Sequence, residues 1–137
     1  MNRIFDIANS ALAAQTIRLN TIASNLANAN TEAGSPDAVY RAKSPVFRAV
    51  MERATAETGV ETAGVRVVGV AEETKPPLVQ YRPEHPLADA NGNIYVPDIE
   101  IMSEYADLVA ASRSYETNVE IIDTTRQLLL KTLQLGR

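Results

Sequence analysis

Side chains that could do chemistry are few in this 137-residue chain. His85 is the single histidine, and a lone histidine between prolines is typical of a surface or turn residue. The segments G-x-S-x-G, S-x-x-K, G-x-x-x-x-G-K and G-x-G-x-x-G do not occur, so neither a serine nucleophile nor a phosphate loop is indicated. We therefore expect no catalytic residue, no cofactor site and no enzyme activity.

One group of oxygen-bearing side chains has the spacing of a calcium loop. At relative positions 1, 3, 5 and 12 of such a loop stand Asp89, Asn91, Asn93 and Glu100. However, the glycine required at position 6 is replaced by Ile94, and Pro97 interrupts the second half. Asn91-Gly92 is instead a strong signal for a type I′ hairpin turn, because both residues tolerate positive φ. The hairpin is favoured, no metal ligand is assigned, and a calcium-binding module at residues 89–100 remains an alternative.

Composition excludes several classes of function. Thirteen basic and seventeen acidic side chains give a net charge of -4 without a dense basic cluster, which argues against nucleic acid and anionic membranes as partners. No run approaches the roughly 18–20 apolar residues of a spanning helix, so direct membrane insertion is not expected. The N-terminus lacks the pattern of a cleaved leader. Cysteine is absent, which excludes disulfides and thiolate sites.

The positions of proline and glycine divide the chain into three segments. All seven prolines and five of the six glycines fall between Gly34 and Pro97. We predict an N-terminal helix in residues 1–30, an extended, β-rich excursion in residues 31–97, and a C-terminal helix in residues 98–137. The predicted fold class is mainly α, with a central β-hairpin and irregular insertion between two helices of one helical core domain.

Both terminal segments carry apolar repeats of helical type. In the first, residues at alternating steps of three and four form one stripe: Phe5, Ala8, Leu12, Gln15, Leu19, Ile22, Leu26 and Ala29. In the second, one row repeats every seven residues: Ile101, Leu108, Tyr115, Ile122 and Leu129. A less strict companion row is Tyr105, Ser112, Val119, Arg126 and Leu133. These stripes predict two helices that bury one face each.

Local signals set the predicted element boundaries. The first helix should run from about Asn2 to about Asn30, and the second from an Asp98 N-cap to a Gly136 C-cap. Short β-type runs lie between them: Val39-Tyr40, Val46-Phe47, Val65 to Val70, Leu78 to Tyr81 and Ile94 to Val96. The prolines at 76, 77, 83 and 86 indicate an extended, mostly unpaired stretch. Residues 52–64 are predicted to form a mobile loop.

The flank of the first stripe is hydrophilic but almost uncharged. Residues 1–30 hold three charged side chains and eleven Asn, Gln, Ser or Thr residues, whereas 22% of the whole chain is charged. Helices that face water normally use Lys and Glu, so this composition indicates a surface covered by other protein that still forms hydrogen bonds. We interpret it as a subunit contact.

Three segments, taken together, resemble a known family. Ser10 to Asn30, with the core Asn25 to Thr31 (NLANANT), resembles the N-terminal signature of the axial proteins of the bacterial flagellum, the rod, hook and hook-filament family. The stretch Ala111 to Gly136 (ASRSYETNVEIIDTTRQLLLKTLQLG) and the central Tyr81 to Asp89 (YRPEHPLAD) resemble rod members of the same family. The three matches occur in the family's order.

The resemblance implies a structural subunit of the periplasmic rod in the flagellar basal body, exported unfolded by the type III export apparatus. In such proteins the terminal helices pair as an antiparallel coiled coil around the export channel. Expected partners are further copies of the chain, neighbouring rod proteins, the export apparatus and surrounding basal-body rings. By position, the N-terminal assembly residues would be Asn25, Leu26, Asn28, Asn30 and Thr31. The C-terminal ones would be Ser112, Arg113, Ser114, Tyr115 and Asn118.

The apolar stripes complete the predicted assembly interface. Its further members are Phe5, Leu12, Leu19, Ile22, Ile122, Leu129 and Leu133. Two alternatives remain beside the axial subunit: a soluble helical adaptor, which would be a compact monomer, and the calcium-binding module at residues 89–100.

Overall fold

The computed structural model describes residues 2–52 and 62–135, with side chains described for residues 4–50 and 64–135. Along the chain, one long helix precedes and another follows a β-containing insertion. In chain order the elements are α1 (Asn2–Asn28), a short 3-10 helix (Pro36–Ala38), β1 (Lys43–Glu52), β2 (Thr62–Glu72), β3 (Leu78–Tyr81), β4 (Asn93–Val96) and α2 (Ile101–Leu135). The prediction of a mainly helical chain with a small β insertion is confirmed.

Helix α1 buries a wider face than the sequence predicted. All the residues of the predicted stripe are at least half-buried, and Ala8, Ile22 and Ala29 are 3%, 5% and 6% exposed. A second, adjacent row is also buried, and it contains polar side chains: Ala14, Thr21 and Asn25. Part of the uncharged flank is therefore covered by the chain itself, and hydrogen bonds make that burial possible.

Helix α1 ends two residues earlier than predicted. The backbone amide of Thr31 donates to the carbonyl of Asn28 (3.0 Å), which closes a turn directly after the last helical residue. The side-chain amide of Asn28 donates back to the carbonyl of Ser24 at 2.9 Å. These bonds satisfy acceptors that every helix C-terminus leaves without a partner.

Helix α2 begins three residues later than predicted, so the assignment of Asp98 as N-cap was wrong. The first turn is closed by the Glu104 amide, which donates to the Glu100 carbonyl at 3.1 Å. Asp98 lies before this turn and is exposed. The predicted end at Gly136 lies outside the described residues.

The companion row on α2 was predicted one residue too far along the chain. Tyr105, Val119 and Leu133 are 53%, 44% and 63% exposed, and Arg126 is exposed as well. The less exposed positions are instead Glu104, Ala111, Asn118 and Thr125, of which Ala111 is 0% exposed. The primary row is half-buried except for Tyr115, at 36% exposure. Small and polar residues thus face inward where Tyr105, Val119 and Leu133 were expected, and Ser112 is the one residue of the companion row that is half-buried.

The strands form two separate two-stranded sheets. β1 pairs with β2, and β3 pairs antiparallel to β4 with Leu78 opposite Val96 and Tyr81 opposite Asn93. Four of the five predicted β-type runs lie in these strands, whereas Val39-Tyr40 is not a strand. The mobile loop predicted at residues 52–64 is shortened at both ends by β1 and β2, and residues 53–61 lie outside the described part of the chain.

Chain contacts define two compact units, and each takes part of both helices. The first unit comprises Met1–Leu19, Pro45–Gly69 and Ala110–Arg137, and the second comprises Asn20–Ser44 and Val70–Val109. The second unit contains the largest fully buried side chain, Ile94 in β4, together with buried Ile22 and Val96. An isolated bridge from Ala33 to Tyr95 extends the β3–β4 sheet toward the segment after α1. The end of α1 and the hairpin therefore share one core.

Candidate functional site

Asn25 near the end of α1 is the polar centre of the second unit. Asn25 is 2% exposed, and its side chain forms two hydrogen bonds with the main chain of Lys43. The Lys43 amide donates to Oδ1 at 2.9 Å, and Nδ2 donates to the Lys43 carbonyl at 2.9 Å. Oδ1 also accepts the Tyr40 hydroxyl at 3.0 Å. The second Nδ2 proton points between the two carboxylate oxygens of Glu104, each at 3.3 Å. All the donors and acceptors of this amide are thus used.

Tyr40 extends this network to a neighbouring turn of α1. Its hydroxyl and the Ser24 hydroxyl are 2.9 Å apart. Because the single Tyr40 proton goes to Asn25, the Ser24 hydroxyl must be the donor of this bond. We call Ser24, Asn25, Tyr40, Lys43 and Glu104 the Asn25 network. It connects α1, the start of β1 with the residues just before it, and the first turn of α2, and all its members belong to the second unit.

Glu104 is the carboxylic acid of the Asn25 network. Desolvation raises the pKa of Glu104 above its ordinary value of 4.5, and the negative charges of Asp107 and Glu73 raise it further. The hydrogen bond from Asn25 opposes this rise, since it favours the carboxylate. The folded protein therefore holds the Glu104 proton more tightly than the unfolded chain does.

This pKa shift predicts a pH-dependent loss of stability. A carboxyl group with a raised pKa in the folded state contributes stability below its unfolded pKa, and that contribution is lost as the pH rises through the folded pKa. We expect the free energy of unfolding of the wild type to fall relative to that of Glu104→Gln between about pH 4 and pH 7. Glutamine can still accept the Asn25 bond without a charge. Urea denaturation across this range measures the difference, and Glu116→Gln on the exposed face of α2 is the control. Parallel profiles for wild type and Glu104→Gln would contradict the prediction.

A second polar cluster joins the segment after α1 to the loop between β3 and β4. The Glu32 carboxylate contacts Arg82 Nη1 through Oε1 and His85 Nε2 through Oε2, both at 2.8 Å. The Leu87 amide donates to His85 Nδ1 at 3.2 Å, so Nε2 is the nitrogen that carries the proton toward Glu32. Gly34 supports the same junction, since a Cβ there would lie 2.9 Å from the Leu87 carbonyl oxygen. His85 therefore has a connecting role at this surface.

The residues that have the spacing of a calcium loop form a hydrogen-bonded turn instead. The Asp89 Oδ1 atom accepts the amides of Asn91 and Asn93 at 2.8 and 2.9 Å, and Oδ2 accepts the Tyr95 hydroxyl at 3.0 Å. The hydrogen bond from the Asn93 amide is the largest influence on the pKa of Asp89 and lowers it, while desolvation acts in the opposite direction. The bond to Asp89 also raises the pKa of Tyr95. Both carboxylate oxygens thus serve the turn, and among described residues no group of three or more acidic or histidine side chains could hold a metal ion.

The turn type predicted at Asn91-Gly92 was wrong, although the turn itself exists. A type I′ turn needs positive φ at both central residues, and of the described residues only Gly92 has it, at 78°. The Gly92 amide donates to the Asp89 carbonyl at 2.9 Å, and the Asp89 amide donates to the Asn93 carbonyl at 2.9 Å. Gly92 therefore ends a turn begun by Asp89 and directs the chain into β4.

The structure distributes the predicted assembly residues over a range of exposures. Buried are Ile22 and Asn25. Half-buried are Phe5, Leu12, Leu19, Leu26, Asn28, Ser112, Asn118, Ile122 and Leu129. Exposed are Asn30, Thr31, Arg113, Ser114, Tyr115 and Leu133. The N-terminal motif at 25–31 belongs to the second unit and the C-terminal motif at 112–118 to the first, so the two motifs do not form one site within a unit.

Sequence reasoning missed the partners of Asn25 and His85. Tyr40, Lys43 and Glu104 are 15, 18 and 79 positions from Asn25, and no local pattern marks such distances. Lys43 takes part through its main chain, which its residue type does not reveal. One signal was available in the sequence. Asn25 stands beside a leucine stripe with no charge nearby, and a polar side chain that is buried there needs hydrogen-bond partners from elsewhere in the chain.

Both clusters connect secondary-structure elements of the chain to one another. Comparison with known proteins identifies the family. Residues 5–32 match the sequence model of the family described as flagella basal body rod protein, and residues 90–135 match that described as flagellar basal body rod FlgEFG protein C-terminal. The flagellar basal-body rod proteins FlgC of Yersinia enterocolitica and Salmonella typhimurium are each 46% identical over 134 residues, which cover 98% of this chain and 96% of theirs. That of Agrobacterium fabrum is 35% identical over 130 residues, 94% of this chain and 90% of its own.

The chain is thus a flagellar axial protein, as the three sequence segments indicated. Within that class it belongs to the FlgC family of flagellar basal-body rod proteins. The family is a structural component of the basal body and is not known as a family of enzymes. Neither helix, over its described residues, is long and apolar enough to cross a membrane.

Proposed function

We propose that this chain is a subunit of the proximal rod, the shaft that transmits torque through the periplasm, and that its helices are completed by neighbouring subunits. The observation that carries this proposal is the surface of α2. Between Val119 and Leu135 large apolar side chains are exposed on several sides of the helix, including Leu128 at 59%, Leu133 at 63% and Leu135 at 86%. Large apolar side chains exposed close together on one helix normally mark a contact with other protein, so this surface is expected to be covered in the assembled state.

The antiparallel pairing of the terminal helices is part of the same proposal. Asn25 near the C-terminal end of α1 reaches Glu104 in the first turn of α2, which is the contact that an antiparallel pair would make. Residues 1–30 and 98–137 would then form one helical core domain around the export channel, with 31–97 as its insertion. Antiparallel helices place α1 beside the later turns of α2, where the exposed leucines lie.

The proposed partners follow from this role. Further copies of the chain and neighbouring rod proteins would cover the exposed rows, and the type III export apparatus would deliver the chain unfolded. The surrounding basal-body rings are a further candidate contact. The assembly residues predicted at 25–31 and 112–118 would act in these contacts, except that Asn25, buried with partners inside the chain, would act by positioning the segment from Tyr40 to Lys43. No cofactor is required for any of these steps.

Hydrogen exchange on the free chain and on purified basal bodies tests the proposal. We expect the outer turns of α1 and α2 to exchange rapidly in the free chain and to become protected in the rod, because helical turns whose apolar side chains are exposed gain little stability until neighbours cover them. The Ile94 amide, in the core of the second unit, is the internal reference for global unfolding. A free chain that is a monomer with both helices fully protected would instead be the helical adaptor, and the proposal would be wrong.

A further inference from the structure

An open groove in the first unit lies between one face of α1 and the strand β2. Its volume is about 430 Å³. On the helix side it is lined by residues at steps of four, three and four: Asp6, Ser10, Ala13 and Ile17. On the strand side Val65 and Val67 line it, and the Val65 amide donates to the Ser10 hydroxyl at 3.2 Å. Small side chains on the helix wall leave room for another helix to approach closely.

Helix α2 exposes a row of matching dimensions in the same unit. Its members stand at steps of three and four: Ile121, Thr124, Leu128, Lys131 and Leu135. Ile121, Leu128 and Leu135 are 43%, 59% and 86% exposed, and both Thr124 and Lys131 are exposed. We call this set the outer row. Its spacing is that of a helix that packs against a partner along one seam.

The outer row and the groove fit each other when the two helices run antiparallel. With Lys131 opposite Asp6, the same register places Thr124 opposite Ala13 and Ile121 opposite Ile17. In this register, positions 131, 128, 124 and 121 of the row each lie opposite one of the helix positions 6, 10, 13 and 17 of the groove, to within one residue. Leu128, the large apolar residue at the middle of the row, then lies opposite Ser10, and Ile121 meets the apolar Ile17.

Charge favours the same register. The segment 124–135 contains Arg126 and Lys131 and no carboxylate, and Asp6 is the single acid in residues 1–31. The cation of the outer row therefore meets the one carboxylate of the groove wall. Exposed ion pairs contribute only about 0.2–1 kcal/mol, so this contact sets the register while the apolar row supplies most of the affinity.

We infer that the groove binds the outer row of a second copy of this chain, an inference that rests on the proposed function. Groove and row are different surfaces of one subunit, so the contact is head-to-tail. A head-to-tail contact leaves an unused groove at one end and an unused row at the other, and repetition gives a ring or an open helical array. A rod requires an array of this kind.

Cysteine pairing in assembled rods tests the inference, since the natural chain contains no cysteine. Cells would express an Ala13→Cys chain together with a Thr124→Cys chain, and basal bodies would be purified and oxidised. Both positions are exposed, so neither change disturbs the core. Disulfides require Cα atoms about 4–7 Å apart, so we expect at least about tenfold more linked dimer than from Ala13→Cys with Leu133→Cys, which lies on another side of α2.

The outcomes separate the inference from the proposed function. Linked dimers that appear when the two variants are together, and not with either variant alone, support the contact between copies. Basal bodies that contain both variants and yield no more dimer than the control pair would overturn the inference and leave the rod function intact. Absence of the chain from basal bodies of motile cells would overturn the proposed function and the inference with it.

Discussion

Replacement of Leu19 by glutamate is expected to abolish incorporation into the rod and, with it, swimming motility. Leu19 lies in the middle of the half-buried stripe of α1 and belongs to the predicted assembly interface. A carboxylate buried there without a partner would cost several kcal/mol of free energy. Each subunit of the rod that uses this stripe in a contact would carry the same cost. The same result is expected for Leu26→Glu. Motility in soft agar and the amount of the chain in purified basal bodies are the measurements.

Asn20→Glu is the matched control for this experiment. Asn20 is the next residue of the same helix and is exposed in the single chain, so it receives the same charge without burial among the chain's own apolar residues. Cellular levels of the variants, measured by immunoblot, show whether a loss of motility follows from degradation. Rods of normal composition and normal swimming in the Leu19→Glu strain would show that the stripe of α1 does not have to be desolvated, and the assembly interface would be wrong.

Asn25→Ala is expected to lower the free energy of unfolding by about 2–3 kcal/mol. Alanine removes both bonds to the Lys43 main chain and the acceptor for the Tyr40 hydroxyl. The amide and carbonyl of Lys43 are part-buried and would lose these partners, whereas the Tyr40 hydroxyl would keep the Ser24 hydroxyl 2.9 Å away. Denaturation by urea, followed by circular dichroism at a concentration where the protein is monomeric, measures the change.

Two further asparagine variants sharpen this test. Asn30→Ala changes an exposed residue of the same motif, and we expect an effect within about 0.5 kcal/mol. Asn25→Asp keeps one acceptor but turns a second oxygen toward the Lys43 carbonyl and the Glu104 carboxylate. It should therefore be destabilising at neutral pH and less so in acid, where protonation restores a donor. Equal stabilities of Asn25→Ala and Asn30→Ala would contradict the structural role given to the Asn25 network.

The sequence predicted the helices well because their signals are local. A stripe at steps of three and four specifies a helix whatever the rest of the chain does, and the concentration of all seven prolines and five of the six glycines in residues 34–97 marks where both helices must stop. The boundary errors have local causes as well. Asp98 is a suitable N-cap, yet the chain enters α2 only at Ile101, after the hairpin strand that ends at Val96.

The companion row of α2 shows the limit of pattern reading. Large residues at 105, 119, 126 and 133 predicted one face, but the structure turns the helix so that Ala111 and Asn118 face inward. The choice between adjacent rows depends on what packs against them. In the second unit that includes Asn25, whose amide needs the carboxylate of Glu104 rather than the ring of Tyr105.

The sequence alone determined the local structure of this protein: two terminal helices, a β-containing insertion and a turn at Gly92. It also determined membership among flagellar axial proteins. Only the tertiary structure decided which polar residues meet, since Asn25 and Glu104 are 79 positions apart and Glu32 and Arg82 are 50 apart. Periodicity reports on neighbours within a few turns of a helix, whereas hydrogen bonds across such separations depend on how the folded chain brings distant segments together. The groove beside α1 exists for the same reason, because one wall is a helix and the other a strand that begins more than forty residues later along the chain.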